Sequence, residues 1–201
     1  MIFPFIPYEQ LLSNARASGA EVTQWLREEL PSAWQEAYLQ MSDRPAHILS
    51  FTHGAFDYVY DHFDNLVYTG VVPDDRVSES RLVAAVGIAA ANAMARSHDD
   101  GRLRGWLGPT GDILGDGWDK GHFIAHAIGG AVDGLEANVF LQRRSVNRGA
   151  YRQMERYCAA HPGVLCFSRP IYADSTALPA EIEFGVLKPD LTWWIQCFPN
   201  R

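Results

Sequence analysis

Apolar residues recur at helical spacing over the first forty residues of the chain. Between residues 8 and 41, leucine, alanine and aromatic side chains return every three or four positions, which predicts amphipathic helices. Proline is tolerated in the first turn of a helix, so Pro31 is expected to open a second helix within this stretch. The next segment, residues 47–53, alternates only loosely and fits either a strand or a short helix.

Two further segments of the first half are expected to be helical. Aromatic and acidic residues mix over residues 56–64, and a half-solvated helix face is preferred there to a metal site. From Ser78 to His98 the chain is apolar almost all round, with Ser78 as a candidate N-cap, so the pattern predicts a buried helix. Glycine-rich residues 105–117 follow, and their short apolar pieces are candidates for a β-ribbon that precedes His122.

The last fifty residues combine one helix with several strands. Helical spacing from Ala150 to Ala160 ends at Pro162-Gly163, and residues 164–168 form an apolar run typical of a strand. Residues 181–187 alternate and are followed by a turn and a second extended segment, which predicts a hairpin. The expected fold class is therefore α+β, with a helical N-terminal region and an antiparallel sheet.

Composition and charge place the chain among soluble globular proteins and suggest a local basic patch. Its 201 residues are 47% hydrophobic and 20% charged, which suits one domain or one domain with an extension. A net charge of −7 argues against adhesion of the whole surface to nucleic acid. Residues 119–156, however, contain six basic and four acidic side chains, so an anionic substrate is expected at this patch.

Cysteine usage and the first residues bear on the compartment. Three cysteines without a CxxC pair favour a reduced, cytoplasmic setting. The first seven residues are too short and too rich in proline for a signal peptide, although export without a signal peptide remains an alternative. No apolar run approaches the length of a membrane-spanning helix, so no membrane association is expected.

The residues from Asp119 to Glu155 carry the candidate chemistry. His122 titrates near neutral pH and can take a proton from water. The amide oxygen of Asn147 is a hard ligand of the kind that suits Mg²⁺. Glu155 follows eight residues later, so the two would share a face if one helix held both. A base, a metal ion and surrounding cations are the parts needed for hydrolysis of a phosphodiester.

Each of these residues also has a structural interpretation. His122 could be a buried histidine bonded to a carbonyl group, Asn147 a helix cap, and Glu155 part of a solvated helix face. His126, four residues after His122, could form a zinc pair with it, but the chain has neither an HExxH pattern nor a nearby cysteine. A structural role for His126 is therefore preferred, and the arginines of this segment could be ordinary surface charge.

A constellation of motif residues favours the catalytic interpretation. Asp119-Lys120-Gly121-His122, Asn138, Gln142, Asn147-Arg148-Gly149 and Glu155 resemble, in order and spacing, the DNA/RNA non-specific endonucleases. These enzymes are ββα-metal, or His-Me finger, nucleases with an Asp-Arg-Gly-His motif. The resemblance covers the second half of the chain only. Here Lys120 replaces the arginine of the motif, so a point charge stands where a planar fork is usual.

The resemblance implies a role for each matching residue. His122 would be the general base, with Glu155, Lys120 and Arg148 completing the catalytic set. Asn147 would be the direct metal ligand, Glu155 would orient a water bound to the ion, and Asn138 is grouped with these ligands. Substrate phosphates would be held by the following residues: Lys120, Arg144, Arg148 and Gln142. An additional upstream arginine is expected, with Arg96, Arg102 and Arg104 as candidates.

The prediction is a ββα-metal nuclease core over residues 106–201, preceded by a helical region over residues 1–105 that serves as scaffold or extension. The expected activity is Mg²⁺-dependent cleavage of DNA, RNA or both, with Mn²⁺ as the alternative ion. Two alternatives remain open: a nucleic-acid-binding module of weak activity, and a toxin-type nuclease controlled by an immunity or inhibitor protein. Oligomeric state and the preference between DNA and RNA are left undetermined.

Overall fold

A computed structural model describes residues 4–42, 45–62, 80–90, 117–131 and 136–201 of the chain. The helices with at least one full turn are α1 (Tyr8–Ser18), α2 (Val22–Met41), α3 (Arg144–Arg148) and α4 (Ala150–Ala160). The strands are β1 (Ile48–His53), β2 (Phe56–Asp61), β3 (Arg81–Ile88), β4 (Trp118–His122), β5 (Val139–Arg143), β6 (Leu165–Ile171), β7 (Glu181–Leu187) and β8 (Trp193–Pro199). Within these described ranges, no helix combines the length and apolar character needed to cross a bilayer.

The predicted N-terminal helices are confirmed, but the break between them lies elsewhere than expected. Pro31 lies inside α2 and does not open it. The start of α2 is set by Glu21, whose carboxylate accepts hydrogen bonds from the backbone N–H groups of Thr23 and Gln24 at 2.9 and 2.6 Å. Leu30 and Trp34 are both fully buried, so tertiary packing holds the helix continuous through the proline.

Six antiparallel strands form the main sheet in the order β1-β2-β3-β6-β7-β8. The helix expected over residues 56–64 is wrong for the described part, because residues 56–61 are strand β2. Phe56, Tyr58 and Tyr60 recur at every second position, which is the period of a strand, and all three are buried. The acidic residues between them meet α2: Asp57 binds Arg27, and Asp61 accepts a hydrogen bond from Tyr38.

The helix predicted from Ser78 to His98 is also wrong over residues 81–88, which form the central strand β3. This strand pairs with β2 on one side and with β6 on the other. Apolar layers cover both of its faces, so nearly every position is buried and the strand shows no polar alternation. A strand buried on both faces gives the same unbroken apolar run as a buried helix, which explains the wrong prediction.

The predictions for the end of the chain are confirmed. The expected helix is α4, the apolar run is β6, and the expected hairpin is β7 paired with β8. The loosely alternating segment 47–53 is a strand, β1. The apolar pieces proposed as a ribbon within residues 105–116 and the candidate arginines at positions 96, 102 and 104 lie outside the described residues.

The main sheet separates two apolar clusters. On one face, α1 and α2 bury Leu12, Leu26 and Trp34 against β3 and β6. On the other face, a second cluster joins the sheet to β5, to α4 and to the 3-10 turn His126–Ile128. The architecture is therefore mixed α+β with an antiparallel sheet between layers, as expected for the fold class.

The predicted division of the chain lies between residues 105 and 106, outside the described residues. Strands from both sides of that division pair in the main sheet, since β3 bonds to β6. Within residues 1–105, α1 and α2 are helices, whereas β1, β2 and β3 are strands. The first part of the chain therefore supplies half of the sheet in addition to its helical layer.

Candidate functional site

The motif residues lie on a two-stranded antiparallel ribbon formed by β4 and β5. In its register Asp119 faces Gln142, and His122 faces Val139. Because successive side chains of a strand point to opposite faces, Lys120 and His122 share one face of this β-ribbon. The motif thus places a basic side chain and an imidazole next to each other at the end of β4.

The β-ribbon is attached to the rest of the molecule by aromatic packing and by an asparagine near the C-terminus. Phe123, directly after β4, stacks on Phe140 with ring centroids 4.1 Å apart. The buried Asn200 accepts a hydrogen bond from the backbone of Arg143 at 2.9 Å and donates one to the carbonyl of Leu141 at 2.9 Å. These contacts fix β5 against the end of the main sheet.

Asp119 gathers three side chains of α3 around one carboxylate. Arg148 donates two hydrogen bonds to it, at 2.9 and 3.0 Å, in the forked geometry that arginine favours with carboxylates. Arg144 donates a third at 3.2 Å, and Asn147 donates a fourth through Nδ2, also at 3.2 Å. We call these four residues the Asp119 clamp, because they fasten α3 to β4.

Electrostatics keep the Asp119 clamp charged. Burial raises the pKa of Asp119, but hydrogen bonds from Arg148, Asn147 and Arg144 outweigh it and hold the pKa below its ordinary value. The hydrogen bond to Asp119 raises the pKa of Arg148 in return. The Asp119 side chain is 14% exposed, whereas that of Arg148 is 62% exposed. The clamp therefore has a sheltered anion at its centre and cations facing solvent.

The clamp sets the direction of the Asn147 amide. Its Nδ2 atom donates a hydrogen bond to Asp119, and this bond identifies which atom of the amide is the nitrogen. Oδ1 has no hydrogen bond to any described residue. An amide oxygen held in this way suits a hard cation that retains most of its waters, such as Mg²⁺. In the part of the chain that the structure describes, no three His, Cys, Asp or Glu side chains converge as a metal cage. The donor set therefore fits an ion held by one amide oxygen and water.

Asn147 and Glu155 do not lie on one helix, so the condition under which they would share a face is not met. Asn147 belongs to α3 and Glu155 to α4, and the chain bends between them at Gly149. A Cβ atom at Gly149 would lie 2.4 Å from the carbonyl oxygen of Ser145, so the bend requires glycine. The eight-residue spacing consequently does not align these two side chains by helical periodicity.

Glu155 is linked to the end of β4 through Tyr151. Both residues lie on α4, one turn apart, and Tyr151 is fully buried. The Tyr151 hydroxyl donates a hydrogen bond of 2.7 Å to the carbonyl of Phe123, the residue after His122. Burial raises the pKa of Tyr151, and the nearby Glu155 carboxylate raises it further, so the hydroxyl remains a donor. Glu155 is half-buried and lies one turn after Tyr151 on the same side of α4.

Asn138 has a clear structural role. Its Oδ1 accepts a hydrogen bond from the backbone N–H of Ile124 at 2.9 Å. Its Nδ2 donates to the carbonyl groups of Ile124 and Ala131, at 2.9 and 2.6 Å. The side chain is fully buried, and these bonds hold the loop that follows His122. Binding a metal would require Oδ1 to share its bond with Ile124, so the ligand role of Asn138 stays a prediction.

Gln142 is also fully buried, opposite Asp119 in the β-ribbon. Neither of its amide atoms has a hydrogen-bond partner among the described residues. A Cβ atom at Gly121 would lie 2.4 Å from Gln142 Oε1, so the glycine of the motif makes room for this side chain. Contact of Gln142 with a substrate stays a prediction, since the position itself is one of packing.

The structure brings the predicted residues together in two groups and adds three that the sequence did not single out. Asn147, Arg144 and Arg148 meet on Asp119, whereas Lys120 and His122 share a face of the same strand. The hydrogen bonds of Asn147 lead to Asp119 and not to His122. Asp119 belongs to the sequence motif, but no role was predicted for it. Nothing in the sequence pattern distinguishes the other two residues as part of the site: Tyr151 and Asn200.

Comparison with known proteins identifies one family. A family model described as DNA/RNA non-specific endonuclease matches residues 79–186, which is more than half of the 201 residues. The matched range contains β3, the β-ribbon, the Asp119 clamp and α4, and ends within β7. A search among curated proteins found no match.

Proposed function

Because the chain belongs to the family of DNA/RNA non-specific endonucleases, we propose that it hydrolyses phosphodiester bonds in a metal-dependent reaction. The substrate would be DNA, RNA or both, cut with little sequence preference. The observation that carries the proposal is the Asp119 clamp, in which the Asn147 amide nitrogen bonds to Asp119, three residues before His122 on β4.

His122 is the proposed general base. It ends β4, and the loop after it is held by Asn138 and by the Tyr151 hydroxyl. A fixed backbone on this side limits the movement of the imidazole, which favours proton transfer from a positioned water. Lys120, on the same face, would attract a substrate phosphate towards the base.

Asn147 is the proposed ligand for Mg²⁺, with Mn²⁺ as a substitute. When bound, such an ion would supply Lewis-acid neutralisation of the scissile phosphate and of the leaving oxygen. Asp119 would fix the amide so that its oxygen and not its nitrogen is presented. Glu155 would accept a hydrogen bond from a water at the site, which its half-buried position on α4 permits.

Arg148 is the proposed phosphate contact outside the metal site. Its side chain is 62% exposed although it binds Asp119 through two nitrogens, so further N–H groups face solvent. Arg144 is 45% exposed and has the same partner. Sharing one carboxylate between two guanidinium groups leaves a local excess of positive charge, which is what a polyanion requires.

The decisive experiment is conversion of supercoiled plasmid and of a single-stranded RNA by purified protein, with Mg²⁺ and with chelator. We expect His122→Ala to lower the cleavage rate by about 10²- to 10⁴-fold, because general-base catalysis contributes on that scale. The matched control is His53→Ala, which removes an exposed histidine from β1. Full cleavage by the His122 variant would contradict the proposal.

Binding without turnover in the wild-type protein would instead indicate a nucleic-acid-binding module. Growth inhibition on expression, relieved by His122→Ala, would indicate the toxin-type nuclease, for which an immunity or inhibitor protein stays a prediction.

Metal binding can be measured without turnover. Mn²⁺ broadens the NMR signals of nuclei close to it, so titration of labelled protein should broaden the Asn147 side-chain amide and the His122 ring together. We expect Asn147→Ala to abolish broadening at His122. Broadening of only one of the two signals in the wild-type protein would show that these residues do not face one ion.

A further inference from the structure

A cavity of about 270 Å³ lies on the face of the main sheet that carries α1 and α2. The β-ribbon and α4 pack on the other face, so this cavity is separate from the proposed nuclease site. Its walls include Trp34 and Tyr38 of α2 and Tyr172 after β6, and two arginines line it, Arg81 and Arg169.

A β-bulge places Arg81 in this cavity. The register between β2 and β3 shifts at Val59 and Tyr60, which pair with Ala84 and Leu82. The extra residue reverses the alternation, so Leu82 enters the cluster on the α4 side whereas Ala84 remains on the helical side. Arg81, one position further, is thereby directed to the helical face. Strict alternation from Ala84 would have turned it away from the cavity.

Arg81 is buried and forms no ion pair with the residues that the structure describes. Its residue exposure is 3%, and among the described residues no carboxylate oxygen lies within 4.0 Å of its guanidinium nitrogens. Its hydrogen bonds to described residues are two, to the Tyr38 hydroxyl at 2.7 Å and to the carbonyl of Asp174 at 2.5 Å. A guanidinium has five N–H groups, so donors remain for a ligand. The rings of Tyr38 and Tyr172 lie 5.2 and 4.7 Å from its Cζ atom.

Arg169 is the second buried cation of the cavity, with a residue exposure of 8%. It donates one hydrogen bond, from Nε to Glu183 at 2.8 Å. Glu183 also accepts a bond from Tyr8, which binds the indole N–H of Trp34 in turn. The remaining N–H groups of Arg169 make no hydrogen bond to the described residues. Glu183 therefore holds Nε in place, whereas the terminal nitrogens can donate to a ligand.

The carboxylates near the cavity are already engaged. Asp61 accepts hydrogen bonds from Tyr38 and from the backbone of His47. Asp174 is paired with Arg201 at 2.8 Å and accepts bonds from Thr176. Among the described residues, the Tyr38 hydroxyl bonds to both Arg81 and Asp61 and so lies between the two charges. A buried cation is costly unless it is paired, so the arrangement calls for an anion from outside.

We propose that this cavity binds a small organic anion, in which a phosphate or carboxylate group contacts Arg81 and Arg169. The head group would take the guanidinium N–H groups that the protein leaves unused, in the bidentate geometry typical of arginine. A flat apolar body would lie against Trp34, Tyr38 and Tyr172. The volume suits a ligand of one or two rings.

Isothermal titration calorimetry with phenyl phosphate tests the proposal, in buffer with chelator so that no metal site contributes. We expect wild-type protein to bind it with a Kd below about 1 mM. Binding of benzoate would show that a carboxylate can replace the phosphate, and binding of inorganic phosphate would show that the head group suffices without a ring. Adenosine monophosphate tests whether the cavity accepts a nucleotide, and phenol tests binding of the ring without a charge. Phenol is expected to bind at least tenfold more weakly than phenyl phosphate.

Two variants locate the binding, and a third is the control. Arg81→Gln should weaken phenyl phosphate at least tenfold. Ala173→Trp, at an exposed position that lines the cavity, should block it while keeping every arginine, and this variant decides the outcome if Arg81→Gln does not fold. Arg27→Gln removes an arginine of α2 that does not line the cavity and should bind like wild type.

Absence of binding by every anion in the wild-type protein, equal binding of phenol, or affinity unchanged in Arg81→Gln and Ala173→Trp would each overturn the proposal. Plasmid cleavage by the same variants gives an independent reading of the nuclease site on the other face of the sheet.

Discussion

The centre of the main sheet and the β-ribbon use polar residues in opposite ways. Along β3 and β6 almost every side chain is buried, and Arg81 and Arg169 are held by fixed partners beneath two helices. Along β4, the charged residues Asp119 and Lys120 are half-buried, and α3 adds two exposed arginines. One region gains stability from packing, whereas the other presents charge to solvent.

The difference shows that the residues that stabilise the fold and the residues of the proposed site lie in different parts of the molecule. The β-ribbon has only two strands, and an isolated pair of strands is marginally stable in water. It is held by contacts to the larger sheet, through Tyr151, which meets Ser168 of β6, and through Asn200 after β8. The β-ribbon therefore depends for its stability on contacts with α4 and with the end of the main sheet.

The largest effect on stability is expected when a large side chain is removed from the core of the main sheet. Phe167 is fully buried and packs on Tyr8, Trp34 and Trp193. Phe167→Ala should lower the free energy of unfolding by about 3–5 kcal/mol, measured by urea denaturation, because it removes buried area and leaves a cavity. Cleavage per folded molecule should be retained. The control is Leu49→Ala at a half-exposed position of the edge strand, and an equal loss there would contradict this comparison.

Asn138→Asp tests whether this residue stabilises the fold or binds a metal ion. A carboxylate would face the carbonyl groups of Ile124 and Ala131 without a hydrogen to donate, so unfolding should become easier by about 3 kcal/mol. Hydrogen exchange in the loop after His122 should accelerate. Tighter Mn²⁺ binding with unchanged stability would instead identify a metal ligand. Asn14→Asp, at an exposed position of α1, is the matched control.

Asp119→Asn should affect the site more than the fold. The pairs that it breaks are partly exposed, so the loss of stability should stay below about 1 kcal/mol. The Asn147 amide would lose its fixed orientation, and Mn²⁺ affinity should fall about tenfold, the scale seen when groups that orient metal ligands are removed. Asp57→Asn breaks a comparable pair with Arg27 and should leave Mn²⁺ affinity unchanged.

The smallest effect is expected in acid. Hydrogen bonds from Arg201 and Thr176 lower the pKa of Asp174 from 3.8 to about 2. Since the pKa is lower in the folded state, the stabilisation is complete above the ordinary pKa and is lost as the pH falls towards 2. Its side chain is 42% exposed, so the change should be a fraction of about 1 kcal/mol. Asp174→Asn and Arg201→Gln should flatten the acid limb of urea midpoints equally; a steeper limb in either would contradict the assignment.

Local patterns in the sequence predicted the helices and the final hairpin. Each of these segments has one apolar and one polar face, so the period is visible in the chain itself. Residues 81–88 lack such a contrast because α2 covers one face and the second apolar cluster covers the other, and the pattern then fits a helix equally well. The position of Pro31 inside α2 was missed for a similar reason, since burial of its neighbours outweighs local preference.

The order and spacing of the motif residues determined the family, because the types and separations of His122, Asn147 and Glu155 are properties of the chain alone. Tertiary structure decided what those residues touch. Asp119 became the centre of the site only when α3 folded back across β4, and Arg81 entered a cavity only because a bulge turned it towards α2. Both outcomes depend on pairings between distant segments, and a sequence pattern contains no record of which distant groups meet.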